Sequence, residues 1–332
     1  MLAKTFKDSP NVIGYELLNE PGFSSNLLSL IPGLTERWYL APMYDRLSKA
    51  ILAIIPDTLI FYEPATWSDA VPVLFEFGPF KLKDPVTKSG LDHAPNHQPE
   101  QGVLAFHYYT FINKVAPGRT PKDYFDSRQE DWKKMGVAPI VTEFSISAHY
   151  KVGDDTWKQT NERLGYFDDY LLSWTGWEYK SYVPKQTQTD FVPTCTGCGD
   201  GLFYGDRNPK NPNWLTAKNF SRPYVAASAG HLLSMTVDPE TSELKFSYQM
   251  DSSIDAPTVV YCNAKLGGKV DAWYPNGITV DIQPAGMANW RMSASDPNYV
   301  HIKSTLAKDA KVTTVSVTIT PKAAEVVTPR IE

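Results

Sequence analysis

The sequence predicts an α/β protein in two parts. Residues 1–232 read as a partial (β/α)8 TIM barrel, and residues 233–332 as an antiparallel β-sandwich. Three observations carry that expectation. Apolar runs of strand length recur between helix-forming segments in the first part, and repeating β/α units call for a parallel sheet with crossover helices. Each of those runs ends in a polar or charged residue, and β/α barrels gather their sites at the C-terminal ends of strands. Beyond residue 233 the runs become short, alternating and separated by turns, the pattern of a sandwich. An eight-stranded barrel needs about 250 residues, and five strands leave it three short.

The chain opens on the end of an amphipathic helix, with Ser9-Pro10-Asn11 as the turn into the first strand. That strand is the apolar run from Asn11 towards Asn19-Glu20-Pro21. Pro21 removes a backbone donor and disfavours the helical region for the residue before it, so extended geometry is expected up to Glu20. Residues 22–33 form a loop more apolar than a solvated connection. Thr35 then caps a helix to about Ile55, with Trp38, Leu40, Met43, Leu47, Ile51 and Ile54 on its core face. Leu59 to Tyr62 is a second buried strand, ending in Glu63-Pro64. Residues 69–101 show little periodicity and are rich in Pro, Phe and His, the character of a functional loop.

A third strand covers Gly102 to Tyr109, and Thr120-Pro121 starts a helix that runs through Met135 and stops at Gly136. Ala138 to Phe144 is the fourth strand and delivers Glu143 at its end. A helix over about 155–171 leads to a fifth strand near 172–180, and Pro223 opens a short helix over about 223–232. In the second part, strands are expected at 244–248, 258–261, 278–282 and 312–319.

Composition narrows the function. A net charge of −5 gives no electrostatic reason to expect nucleic acid, and nothing implies a protein partner. The 9 Trp and 18 Tyr offer flat apolar faces with polar edges, which suit sugar rings, although most such residues serve a core. No run is long enough to cross a bilayer and no signal peptide is visible. Cys195 and Cys198 form a lone Cys-x-x-Cys in a Gly-rich loop, read as a local disulfide or two free thiols, since a zinc site needs a second pair. Neither a metal nor any other cofactor is expected. Asn219-Phe220-Ser221 is a sequon whose use depends on secretion.

The chemistry lies in two carboxylates. Cleaving a glycosidic acetal needs an acid on the leaving oxygen and a carboxylate, or a water it activates, at the anomeric carbon. Glu20 and Glu143 end two different strands, so they can face each other across a barrel mouth. Asn19 is placed to bond a sugar 2-hydroxyl. His107 and Tyr109 alternate onto one side of their strand, where His107 would orient Glu20 and Tyr109 would hold Glu143 ionised. Trp177, at the end of the last strand, would make a sugar platform. Glu63 is open between binding a sugar hydroxyl and bonding a neighbouring loop, and Glu16 reads as a paired, buried carboxylate.

At these residues the chain resembles glycoside hydrolase family 5, the retaining β-glycosidases. Asn19-Glu20-Pro21 matches the acid/base motif of the fourth barrel strand and His107-x-Tyr109 the pair on the sixth. Glu143 matches the nucleophile of the seventh, and Trp177 the platform of the eighth. Within that family the chain looks most like the endoglycoceramidases, because Arg222-Pro-Tyr-Val-Ala-Ala-Ser-Ala-Gly230 closes the barrel and leads straight into a C-terminal sandwich. The resemblance implies a glycosphingolipid substrate cut between glycan and ceramide, and an apolar groove for which loops 22–33 and 69–101 are candidate walls. It also implies peripheral contact with membrane lipid and a secreted or lysosomal setting. Family members carry an Arg and a His on earlier strands, and strands one to three before Asn-Glu-Pro. The chain is therefore expected to hold only strands four to eight and, alone, to turn over no ganglioside. Two rival readings are a glucosylceramidase or other β-glycanase on the same scaffold, and a non-catalytic carbohydrate- or lipid-binding remnant.

Overall fold

The computed structural model describes residues 1–22, 33–65, 90–109, 120–147, 151–179, 201–202, 213–264 and 272–323. They form two units: Met1–Ser145 with Leu172–Trp177, and Ile146–Leu171 with Glu178–Glu332.

The first unit is built on a parallel sheet of five strands: β1 (Gly14–Glu16), β2 (Leu59–Tyr62), β3 (Gly102–His107), β4 (Ala138–Glu143) and β5 (Ser173–Trp174). Their spatial order is their chain order, as the repeating units predicted. Every residue of β3 is buried, as a central strand covered on both faces must be. At Gly14 a Cβ would lie 2.4 Å from the Leu59 carbonyl oxygen, so only glycine lets β1 approach β2 this closely. The opening helix is α1 (Leu2–Phe6).

The second helix departs from expectation. A π-helical turn over Glu36–Leu40 precedes α2 (Ala41–Leu52), and Thr35 has helical dihedrals and makes no side-chain cap bond. The buried stripe is Leu40, Tyr44, Ser48 and Leu52, while Trp38 and Leu47 are exposed. The wide turn rotates the expected face outwards, and the Tyr44 hydroxyl fixes the new one by donating to the Glu63 carbonyl at 2.8 Å. Helix α3 (Pro121–Met135) matches its reading to the residue. Thr120 and Asp123 form a reciprocal capping box, and Gly136 closes the helix at φ 70°.

Glu20 corrects a prediction. Its φ is +44°, so the backbone is left-handed there and not extended, and β1 has already ended at Glu16. The residue before a proline avoids the right-handed helical region, but that rule leaves the left-handed one open. The Glu20 N–H makes use of it, donating to Glu63 Oε2 at 3.3 Å. Most of loop 22–33 and much of 69–101 lie outside the described residues, as do Cys195 and Cys198.

In the second unit α4 (Asp155–Asp169) is capped by Asp154, which accepts from the Trp157 N–H at 2.7 Å. Helix α5 is Trp214–Phe220, and the sequon residue Asn219 on it is only 3% exposed, which withholds it from glycosylation of the folded chain. Two antiparallel sheets follow, ordered β10-β13-β8-β7 and β11-β12-β9-β6. Their strands are β6 (Tyr224–Ala227), β7 (Gly230–Asp238), β8 (Glu243–Met250), β9 (Thr258–Tyr261), β10 (Ile278–Gln283), β11 (Ala288–Met292), β12 (Tyr299–Ser304) and β13 (Thr313–Pro321). The helix expected over 223–232 is thus replaced by β6 and the start of β7. Helix propensity is a weak prior even for alanine, the best helix former, and pairing with β9 and β8 outweighs it. Gly230 needs φ +131°, and a Cβ there would meet the Gln249 carbonyl oxygen. The core is the inward row of β8 (Leu244, Phe246, Tyr248, Met250) against Val315, Val317 and Ile319 of β13 and Val260, Val300 and Ile302. Asp168 of α4 and Arg222, just before β6, form a buried ion pair at 2.8 Å within this unit.

Candidate active site

The site is assembled at the C-terminal ends of β1 to β4. The pairing of β3 with β4 shifts register between Phe106 and His107, so that His107 stands level with Glu143. The Tyr108 N–H then donates to the Glu143 carbonyl at 2.9 Å. From α3 the Tyr124 hydroxyl donates to the His107 carbonyl at 2.8 Å, which pins the strand end from behind. These backbone ties settle where the His107 ring points before any substrate group is considered.

That ring is surrounded by carboxylates. Its Nδ1 lies 2.8 Å from Glu20 Oε1 and 3.4 Å from Glu143 Oε2, and its Nε2 lies 3.2 Å from Glu63 Oε1. One side-chain nitrogen or oxygen from each of Glu20, His107 and Glu143 falls within 4.8 Å of the others. The Tyr109 hydroxyl donates to Glu143 Oε2 at 2.9 Å. Asn19 is exposed beside Glu20. Trp177 bridges to Ser145, donates its N–H to the Phe144 carbonyl at 2.8 Å, and leaves 47% of its surface exposed, as a stacking platform requires. All six residues singled out in the sequence therefore sit on the strand ends of one sheet.

The electrostatics follow from this crowding. Burial pushes the His107 imidazole down, but its hydrogen bonds to Glu63 and Glu20 and the charges of Glu63 and Glu143 outweigh that and hold it up at about 9. Burial raises the Glu143 carboxyl above the ordinary range. The His107 charge and the Tyr109 hydrogen bond pull it back, while Glu20 and Glu63 push it further up. Glu16, at the end of β1, is pushed up to about 7 by desolvation and by a hydrogen bond to Glu63. Glu16 is solvent-exposed on one side, which corrects its reading as a buried residue. Glu63 bonds the neighbouring loop after β1, one of its two readings from the sequence. It is 3% exposed and braces both the Glu20 backbone and the His107 ring. The signal was present in the sequence, since Glu63-Pro64 copies the strand-end pattern of Glu20-Pro21, but its role depends on which strands are neighbours.

Glu20, His107 and Glu143 also form a donor set that a metal ion can use. A cation there would have to displace the proton that His107 carries at neutral pH, and it would compete with the Tyr109 hydroxyl for Glu143 Oε2. No helix among the described residues is long and apolar enough to cross a membrane.

A parallel β/α sheet that gathers two Glu, a His and a Tyr at one edge has the layout of the glycoside hydrolases that work with a carboxylate pair. The chain belongs to glycoside hydrolase family 5. Residues 1–183 match the cellulase (glycosyl hydrolase family 5) model, and residues 222–319 match the glycoside hydrolase family 5 C-terminal domain. An endoglycoceramidase of Hydra vulgaris is 31% identical over 304 residues, covering 90% of this chain and 49% of that protein. Endo-glycoceramidase II from Rhodococcus sp. shares the fold with a TM-score of 0.64 at 19% identity, covering 97% of this chain and 63% of that one. A second structure of that protein, a ganglioside GM3 complex, aligns with a TM-score of 0.61 at 20% identity, covering 97% of this chain and 62% of the other. The chain spans about half the length of the curated relatives it matches.

Proposed function

We propose that the protein is a retaining glycoside hydrolase that cleaves the β-linkage between glycan and ceramide in glycosphingolipids, with Glu20 as acid/base and Glu143 as nucleophile. The observation that carries this reading is the convergence of Glu20 and Glu143 within 4.8 Å around His107. Retaining enzymes hold their carboxyl groups about 5–5.5 Å apart, whereas inverting ones leave about 6.5–9.5 Å for a water.

In the first step Glu143 attacks the anomeric carbon as Glu20 gives its proton to the departing ceramide oxygen. In the second, Glu20 takes a proton from water, which displaces Glu143 from the same carbon. The nucleophile must be ionised although burial opposes it, and the Tyr109 hydroxyl and His107 charge supply the opposing pull. His107 hydrogen-bonds Glu20 through Nδ1 and aligns it for both proton transfers. Asn19 reaches the sugar 2-hydroxyl, a bond that strengthens as the ring approaches an oxocarbenium ion, and Trp177 stacks on a sugar face. The ceramide half of the substrate is supported by the likeness to an endoglycoceramidase, and it implies peripheral contact with membrane lipid during turnover.

The test is hydrolysis of fluorescent GM3, glucosylceramide and cellulose side by side. Release of ceramide from GM3, lost in Glu143→Gln, would support the proposal and overturn the expectation that residues 1–332 alone turn over no ganglioside. Preference for glucosylceramide or cellulose would move the substrate elsewhere in the family. Glycan binding without hydrolysis, unchanged by Glu20→Gln, would make the protein a binding module.

A further inference from the structure

We propose that Asp45, His93 and His97 form a site for a divalent transition-metal ion, zinc by the chemistry of its donors, separate from the carboxylate pair. Asp45 lies on α2, His93 precedes the 3₁₀ turn Pro95–His97 and His97 ends it, on the segment that feeds β3. One ligand atom from each of the three lies within 4.8 Å of the others.

The hydrogen-bond pattern around His93 calls for a cation. Its Nδ1 lies 2.6 Å from Asp92 Oδ1, a bond that requires the proton to be on Nδ1. The lone pair of Nε2 then points at Asp45, 3.3 Å from both of its oxygens. Lone pairs facing across that gap repel unless a positive charge lies between them. A proton would favour one oxygen at about 2.7–2.9 Å, whereas equal distances to both suit an ion. Carboxylate–histidine–metal is also the usual arrangement, in which the outer carboxylate fixes the tautomer of the ligating ring.

His97 completes the set. Its ring stacks on His93 with centroids 4.0 Å apart and planes 15° from parallel, so one ring has to turn for the two lone pairs to meet on a single ion. Consecutive left-handed residues, Asn96 at φ 54° and His97 at φ 53°, deliver that ring. Strain of this kind persists only where the surroundings compensate it. The Asn96 N–H donates to Asp45 Oδ1 at 2.7 Å and locks the turn to α2.

Two imidazoles and one carboxylate, with a fourth position open to water, is a zinc donor set, and magnesium and calcium prefer oxygen alone. Zinc bonds of about 2.0–2.1 Å place tetrahedral ligand atoms about 3.3 Å apart, so the three draw slightly together on binding. The ion would clamp α2 to the approach of β3. Tyr44, next to Asp45, donates to the Glu63 carbonyl at 2.8 Å, so the clamp steadies the brace behind His107.

The experiment uses tag-free protein stripped by chelator, titrated with Zn²⁺ by calorimetry and with Co²⁺ by visible absorption. One equivalent is expected, with tetrahedral Co²⁺ bands and a higher Tm, and with no response to Mg²⁺ or Ca²⁺. His93→Gln, His97→Gln and Asp45→Asn should each weaken binding by about 100-fold or more, and His107→Gln should leave the Co²⁺ spectrum unchanged. Loss of the spectrum in His107→Gln but not in His93→Gln would assign the metal to the carboxylate cluster and overturn the proposal. A lower Tm in His93→Gln, with no Zn²⁺ or Co²⁺ response in the parent protein, would reduce the cluster to an ion pair and overturn it as well.

Discussion

Strands β3 and β8 are both buried, and what they bury differs. On β8 the inward row is Leu244, Phe246, Tyr248 and Met250, alternating with the outward Lys245, Ser247 and Gln249. Pattern, propensity and packing agree along its whole length. β3 begins in the same way, with Val103 to Phe106 fully buried, and then ends by placing His107 among Glu20, Glu63 and Glu143. There the rules conflict: a buried ring is kept charged, the Glu143 carboxyl is pushed up, and Glu20 has a left-handed backbone. Conflict concentrated at a strand end is how a site differs from a core. The sandwich is optimised for burial, and the strand ends of the parallel sheet give up stability for chemistry.

Exchanging the two kinds of damage tests that contrast. Glu143→Gln should lower kcat by about 10⁶-fold, the scale seen when a covalent nucleophile is removed. Its Tm should be unchanged or slightly raised, because one of three crowded carboxylates is gone. Glu20→Gln should cost about 10²–10⁴-fold on ganglioside, and most of the first step should return on an aryl glycoside whose leaving group needs no proton. Steady-state and burst kinetics on both substrates check this, and equal recovery in Glu143→Gln would exchange the two roles. Phe246→Ala is the converse. It should cost about 3–5 kcal/mol of unfolding free energy by denaturant titration and leave kcat per folded molecule as it was.

Tyr109→Phe lies between these extremes. Removing a hydrogen bond to a charged group costs about 1.5–3 kcal/mol, which as transition-state energy is a loss of about ten- to a hundredfold in kcat/KM. The bond lowers the Glu143 pKa, so its loss raises that pKa, and the acidic limb of the kcat/KM profile should move to higher pH. A loss of activity with an unmoved limb would make Tyr109 a substrate contact and not the residue that keeps Glu143 ionised.

How much of this was legible in the sequence depended on how local each cause was. Helix α3 could be read to the residue because Thr120, Pro121, Asp123 and Gly136 are neighbours that satisfy one another. Glu143 and the His107–Tyr109 pair followed from strand period alone. What escaped depends on contacts distant in the chain. The Glu20 backbone turns left-handed to reach Glu63, which is 43 residues away. The buried face of α2 is set by Tyr44 reaching the same residue, and β6 exists because β9 pairs with it. Glu63 itself repeats the Glu-Pro signature of Glu20, yet only the β1-β2-β3 order brings it to both the Glu20 backbone and the His107 ring.

The smallest effect is the most specific to the strand-end cluster. In the folded chain Glu16 titrates at about 7, against an ordinary value of 4.5. A carboxyl whose folded pKa is raised binds its proton more tightly in the folded state. Its contribution is therefore fully present below pH 4.5 and is lost as pH rises towards 7. Glu16→Gln mimics the protonated form at every pH. It should match the parent at pH 4.5 and exceed it in stability above pH 7, with the gap opening between those values. Glu16 is solvent-exposed on one side, and screening discounts the gap to about 1 kcal/mol or less. Denaturant midpoints of parent and variant at pH 4.5, 6 and 8 measure it. A constant difference across that range would mean that the fold does not raise the Glu16 carboxyl, and the strand-end conflict would shrink to His107 and the three carboxylates around it.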